Sequence, residues 1–304
     1  ANRREHDSKR RDRQRLDNGG GHAITCLYAG SLFNRTAGRS SPSVILQEDA
    51  PVDLATPSGP MRTYLYRPVA PGHYPGLVFF SEIFQRTPPI KRTAALLAGH
   101  GFVVAVPEIF HELEPPGTEL AYDEAGADRG NQHKLGKPIG AYDADARAVI
   151  AHLQSHPQCT GRIGSVGICI GGHLSFRAAM NSNVLAAACF YATDIHKGSL
   201  GAGGDDSLAR AGEITGELLM IWGRQDPHVP TEGRRLLLRR LDEAGVNFTW
   251  HEFNGAHAFM RDEGPRYDPQ LALTCYRLVT DLFRRKLGEG DLAAISTGAA
   301  EARH

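Results

Sequence analysis

The sequence predicts an α/β protein, a doubly wound, mostly parallel sheet with an antiparallel N-terminal edge. Near-continuous apolar runs, such as Gly76-Leu77-Val78-Phe79-Phe80 and Gly101-Phe102-Val103-Val104-Ala105-Val106, alternate with stretches of helical periodicity. That alternation suits central parallel strands covered by helices on both faces. Two shorter runs, 52–56 and 61–66, flank Pro57-Ser58-Gly59-Pro60 and read as a hairpin that forms the antiparallel edge. Further on, a strand passes abruptly into a helix through Gly167-Ile168-Cys169-Ile170-Gly171.

The elements follow in order. A helix near residues 90–100 links the two apolar runs. The segment from Glu112 to Gly140 shows no sustained pattern and reads as a variable loop that sets selectivity. Tyr142, Ala146, Val149, Ile150 and Leu153 then recur at helical spacing, with Asp143 and Asp145 near the helix start. The strand ending at Cys169 comes next, followed by strands at 185–191 and 217–222, a helix marked by Leu237, Leu241 and Ala244, and a strand at 248–253. Asp268-Pro269 is a helix start with Asp as cap and Pro in the first turn. Leu271, Cys275, Leu278, Val279, Leu282 and Phe283 form one face of that helix, and Gly288 follows it. Cys275 and Cys189 read as core residues. Ligands of such sheets bind beyond the carboxyl ends of the strands, where Cys169 should stand.

Composition narrows the function. The chain has 304 residues, 41% hydrophobic and 22% charged, the balance of a soluble globular enzyme. Its 34 basic and 34 acidic residues cancel, so nothing in the charge calls for nucleic acid or an anionic membrane. Five scattered cysteines, Cys26, Cys159, Cys169, Cys189 and Cys275, form no CxxC pair. They suggest neither a disulfide framework nor structural zinc, and reduced thiols fit a cytoplasmic protein. No metal or cofactor is expected. The apolar run Ala23–Phe33 is too short and polar to span a bilayer. Composition changes near residue 43, which divides the chain into a basic, Gly- and Ser-rich tail at 1–42, expected to be disordered, and a single domain at 43–288, with a second tail at 289–304. Glu5, Asp7 and Asp12 argue against a transit peptide. A monomer or a homodimer is expected.

The chemistry centres on Cys169. Gly167-x-Cys169-x-Gly171 fits a nucleophile elbow with cysteine in place of serine: a sharp strand-to-helix turn exposes the nucleophile, and the residues two before and two after must be small. A helix N-terminus there favours a thiolate. The same string also fits a glycine-rich junction with an inert cysteine. A thiol nucleophile needs a base, and the base an orienting acid, in the chain order nucleophile, acid, base. Asp226, just past the strand ending at Trp222, fits the acid, with Asp194 as its rival. His257, in Gly255-Ala256-His257 beyond the last strand, fits the base. His173, His228 and His251, among 14 histidines, fit less well.

Taken jointly, Ser81-Glu82-Ile83-Phe84, Val106-Pro107-Glu108-Ile109-Phe110, the Cys169 elbow, Gly223-Arg224-Gln225-Asp226-Pro227-His228-Val229-Pro230 and Gly255-Ala256-His257-Ala258-Phe259 resemble the dienelactone hydrolase family over roughly residues 50–287. These are carboxymethylenebutenolidase-like enzymes of the α/β-hydrolase fold. The resemblance implies a Cys169–His257–Asp226 triad, with Glu82 as an auxiliary carboxylate near the thiol. It also implies a small-molecule lactone or ester substrate whose carboxylate is clamped by Arg261 and by a second cation between residues 117 and 135, for which Arg129 is the best match and Lys134 the alternative. The backbone N–H groups of Ile83 and Ile170 would receive the oxyanion. A general esterase or thioesterase of the same fold remains an alternative, as does a non-hydrolytic protein that binds a ligand or senses redox state through Cys169.

Overall fold

A computed structural model describes residues 46–288. The two expected tails, 1–42 and 289–304, and Cys26 lie outside the described residues. The antiparallel edge consists of β1 (Leu46–Glu48), β2 (Val52–Thr56) and β3 (Gly59–Pro68); β1 and β2 both pair with β3. β4 (Tyr74–Phe80) and β5 (Val103–Pro107) are parallel neighbours, and β3 closes antiparallel onto β5. On the other side of β4 lie β6 (Cys159–Ile168), β7 (Val184–Phe190), β8 (Glu217–Gly223) and β9 (Phe248–Phe253), all parallel. The order across the sheet is β1-β3-β5-β4-β6-β7-β8-β9, with β2 paired to β3. The chain steps one way from β4 to β5 and returns past β4 to β6. The loops after β4 and β6 therefore open a crevice at the carboxyl end of the sheet.

Two apolar layers follow from the period-2 alternation of each strand. Leu77 and Phe79 of β4 and Val104 and Val106 of β5 share one cluster with Ile90 and Leu97 of α1 (Pro88–Gly99) and with Cys275, Val279 and Phe283 of α6 (Pro269–Leu287). Val78, Phe80, Val103 and Ala105 face the other way. They meet Val149 and Leu153 of α3 (Ile139–Ser155), Leu174 of α4 (Ile170–Ala178) and Leu237 of α5 (Thr231–Glu243). Strands covered on both faces have no reason to alternate polar and apolar residues, hence the continuous runs in the sequence. Asp268 caps α6 as expected, accepting hydrogen bonds from Gln270 N at 3.1 Å and Leu271 N at 2.9 Å, with Pro269 in the first turn. Cys189 and Cys275 are fully buried in the core.

Two elements depart from the sequence reading. The segment 112–140 is not loop throughout: it contains α2 (Glu124–Gly136), whose cap Asp123 accepts from Gly126 N at 2.8 Å. Only Gly126 and Gly130 of this helix are buried. A polar helix seated on glycines leaves no apolar stripe to read, and a Cβ at Gly130 would come within 2.6 Å of Ile83 O. The following helix, α3, starts at Ile139, so Asp143 and Asp145 fall beyond its first turn. They serve instead as partners of Arg177 and Lys137. Among the described residues, no helix is long and apolar enough to cross a membrane.

Phe283 holds α6 against the sheet with no exposed surface. Phe283→Ala is expected to cost about 3–5 kcal/mol, from lost apolar burial and the cavity left behind. The denaturation midpoint in urea should fall while the slope of the transition stays constant.

Candidate active site

Cys169 occupies the turn between β6 and α4 with φ 62° and ψ −120°. A non-glycine residue reaches that conformation only when its surroundings over-determine it. Here they do: Cys169 N donates to Phe190 O at 3.1 Å, and Cys169 O accepts from Gly172 N at 3.0 Å and Thr193 N at 3.3 Å. The flanking glycines have a steric cause. A Cβ at Gly167 would lie 1.8 Å from Gly171 O, and one at Gly171 would lie 2.1 Å from Phe80 O.

Strand register brings the partners in. Phe80 sits opposite Gly167, so the loop after β4, carrying Glu82 and Ile83, emerges beside Cys169. Gly223 sits opposite Phe253, so Asp226 and His257 leave neighbouring strands side by side. His257 Nδ1 and Asp226 Oδ2 are 2.7 Å apart, both buried. Asp226 Oδ1 accepts from His228 N at 2.8 Å, which fixes the carboxylate. Burial alone would lower the imidazole, but the charge on Cys169 and the hydrogen bond to Asp226 push it up to about 10. For Asp226, burial raises the carboxyl, yet the His257 hydrogen bond and charge prevail and hold it below its ordinary value. The ring of Tyr191 packs edge-on against His257, with centroids 4.9 Å apart.

A cavity of about 170 Å³ opens over these groups, lined by Cys169, His257, Glu82, Ile83, Arg261 and Lys134 among others. Glu82 is only 3% exposed and accepts a hydrogen bond from Tyr122 Oη. Burial raises its carboxyl pKa, against the lowering effects of Tyr122 and the nearby Arg261. Arg261 lies 3.9 Å from Glu82 Oε2, with its guanidinium 4.2 Å from the Tyr122 ring centroid. Arg92 steadies this loop through Asp262 and Glu263 at 2.6 and 2.8 Å. Ile170 opens α4, so its N–H has no partner within the helix. Among the described residues, the amides of Ile83 and Ile170 have no acceptor; Ile170 directly follows Cys169, and Ile83 lines the same cavity.

Of the two cations considered for the second clamp, Arg129 is the one the structure turns away. It pairs with Glu114, Nη2 to Oε2 at 2.7 Å, and does not line the cavity. Lys134 does line it. Five residues along a helix, at 100° each, place two side chains about 140° apart, so both cannot face one cavity. Asp194 is not the partner of His257; it binds Lys134 Nζ at 2.8 Å. His173 is buried against Ser207, and His228 meets His257 edge-on with centroids 4.6 Å apart. Tyr122, Lys197 and Arg266 also belong to the site but were not singled out in the sequence. Asp123, a cap residue directly after Tyr122, was the one signal that a helix would carry this segment to the cavity.

One further cluster has metal-ligand chemistry. His111, Glu112 and Asp145 bring ligand atoms within 4.8 Å of one another. Lys137 Nζ already lies among them, hydrogen-bonded to Asp145 and 2.7 Å from Glu112 Oε2. Its ammonium supplies the balancing charge, and a metal ion would have to displace it.

Residues 61–287 match the family described as the dienelactone hydrolase family. The chain belongs to that family. It is accordingly a hydrolase acting on ester or lactone bonds. A Saccharomyces cerevisiae protein named "Putative carboxymethylenebutenolidase" is 41% identical over 239 residues, covering 75% of this chain and 87% of the relative. A carboxymethylenebutenolidase from a Pseudomonas strain is 28% identical over 221 residues, covering 71% and 87%. Among solved structures, a Klebsiella pneumoniae protein titled as a putative dienelactone hydrolase superposes with TM-score 0.70 at 20% identity, over 79% of this chain and 99% of that one. At that identity the likeness speaks for the α/β-hydrolase fold.

The Cys169 charge is the largest influence that raises His257. Cys169→Ala should therefore move the His257 titration to lower pH, as read from the imidazole ring signals by NMR. An unchanged titration would mean that the two side chains do not share charge.

Proposed function

We propose that this hydrolase opens a carboxylate-bearing lactone or ester of the dienelactone type through a Cys169–His257–Asp226 triad and a thioester acyl-enzyme. One observation carries the reading: His257, hydrogen-bonded to Asp226, lines the same cavity as Cys169. The names of the relatives support the substrate class.

The steps follow from the geometry. The substrate carboxylate docks on Arg261, whose planar guanidinium suits two parallel hydrogen bonds. Cys169 Sγ attacks the ester carbonyl carbon, and the carbonyl oxygen takes the negative charge. The N–H groups of Ile83 and Ile170 receive that oxyanion; one such donor is typically worth on the order of 10²–10³ in turnover. The carbon–oxygen bond to the leaving group then breaks, and His257 gives its proton to the departing oxygen. A lactone that leaves as an enolate departs readily, which suits cysteine. Water next attacks the thioester, His257 takes its proton, and Cys169 leaves as thiolate. Asp226 keeps the imidazole in one orientation throughout. Glu82, buried and raised, stands near the sulfur as a second carboxyl that can trade its partners when substrate enters.

Hydrolysis of a cis- or trans-dienelactone beside a neutral p-nitrophenyl ester tests the proposal. Cys169→Ala should lower kcat by about 10⁴-fold or more, and Cys169→Ser should keep weak esterase activity. Full activity in the alanine variant sinks the assignment of the nucleophile. Arg261→Met should raise KM for the lactone about tenfold, as expected for loss of a charge-assisted hydrogen bond, and affect the neutral ester far less. Comparable turnover of both substrates in the wild type would instead indicate a general esterase. Reversible peroxide oxidation of Cys169 with no turnover of either would indicate a sensor.

A further inference from the structure

Two of the cations that line the cavity have no carboxylate partner among the described residues. Four cationic side chains, Lys134, Lys197, Arg261 and Arg266, line it against two carboxylates, Glu82 and Asp194. Arg261 stands by Glu82 and Lys134 is bound to Asp194. Lys197 and Arg266 have no carboxylate partner among the described residues. They come from separate segments: Lys197 closes the single 3₁₀ turn Ile195–Lys197 after β7, and Arg266 lies in the chain between His257 and α6. Both nevertheless line the one cavity. Both are solvent-exposed, at the mouth, whereas Arg261 is largely buried. A cleft walled by one sign of charge concentrates ligands of the other sign.

We infer that the substrate carries two carboxylates, the first held inside by Arg261 and the second at the mouth by Lys197 and Arg266, with Lys134 beside them. This rests on the reading of Cys169 as an ester-cleaving nucleophile and adds the substrate class. A dicarboxylate neutralises both the inner and the outer cations; a monocarboxylate leaves the mouth uncompensated.

Three esters with one leaving group test it: p-nitrophenyl butyrate, the p-nitrophenyl half-ester of glutarate, and the mono-p-nitrophenyl ester of propane-1,2,3-tricarboxylate. They carry no, one and two carboxylates. After subtraction of the enzyme-free rate, kcat/KM should rise about fivefold or more from the one- to the two-carboxylate ester at low salt, the size of a surface charge contact. The ratio should fall below about twofold in Lys197→Met/Arg266→Met and at high ionic strength, where exposed charges are screened. A ratio near one in the wild type, or a ratio that survives the double substitution, overturns the inference. A second readout needs no turnover. Glutarate should protect Cys169 from iodoacetamide at about fivefold lower concentration than butyrate, and the double variant should equalise them. Cleavage of the neutral and one-carboxylate esters through Cys169, with no advantage for the second charge in either assay, overturns the dicarboxylate alone. Preferential protection by glutarate with no ester cleaved overturns the ester-cleaving role and keeps the anion site.

Discussion

The site depends on a close approach of backbone to backbone around Cys169. The turn from β6 into α4 is so tight that only a hydrogen fits at residues 167 and 171, and the cysteine between them is held at positive φ. That conformation is unfavourable in isolation. It persists because hydrogen bonds from three directions fix the peptide groups around it and because every residue of α4 is buried. Core packing thus sustains a strained residue, and the strain aims a sulfur atom out of the sheet.

Charge supplies the second constraint. An imidazole taken from water should resist protonation, and a buried carboxylate should resist ionisation. Asp226 and His257 each offset the cost for the other, and the sulfur completes the set. Glu82 is held differently. It has a phenol donor and a guanidinium 3.9 Å away, and burial wins, so its carboxyl is raised while Asp226 is lowered. Two carboxyl groups in one crevice are set apart by their neighbours, as sites that move protons require.

Away from the cavity, Lys137 does for the fold what the triad does for the site. It lies fully buried, and its ammonium joins Asp145, Glu112 and the Ile109 carbonyl. Buried ion pairs add little net stability, but they are costly to break. This one fixes the start of α3 to the loop after β5, and so fixes where α2 can lie above the crevice.

The parallel sheet was legible in the sequence because its strands are buried on both faces and so read as unbroken apolar runs, and because Asp268-Pro269 and Gly288 punctuate α6 by local chemistry. The elbow was legible because Gly167 answers a steric demand from Gly171 within the same five residues, while Gly171 makes room for the backbone of β4. The order of Cys169, Asp226 and His257 followed from the order of the strands. What tertiary structure alone decided was which side chains share the cavity. α2 packs through glycines and carries no apolar stripe, so neither its existence nor its rotation could be read, and its rotation sends Arg129 to Glu114 and Lys134 to Asp194. Tyr122, Lys197 and Arg266 meet there from segments far apart in the chain. Local sequence determines backbone conformation where sterics act over a few residues; the company a charged side chain keeps depends on the packing of whole elements, which no local pattern records.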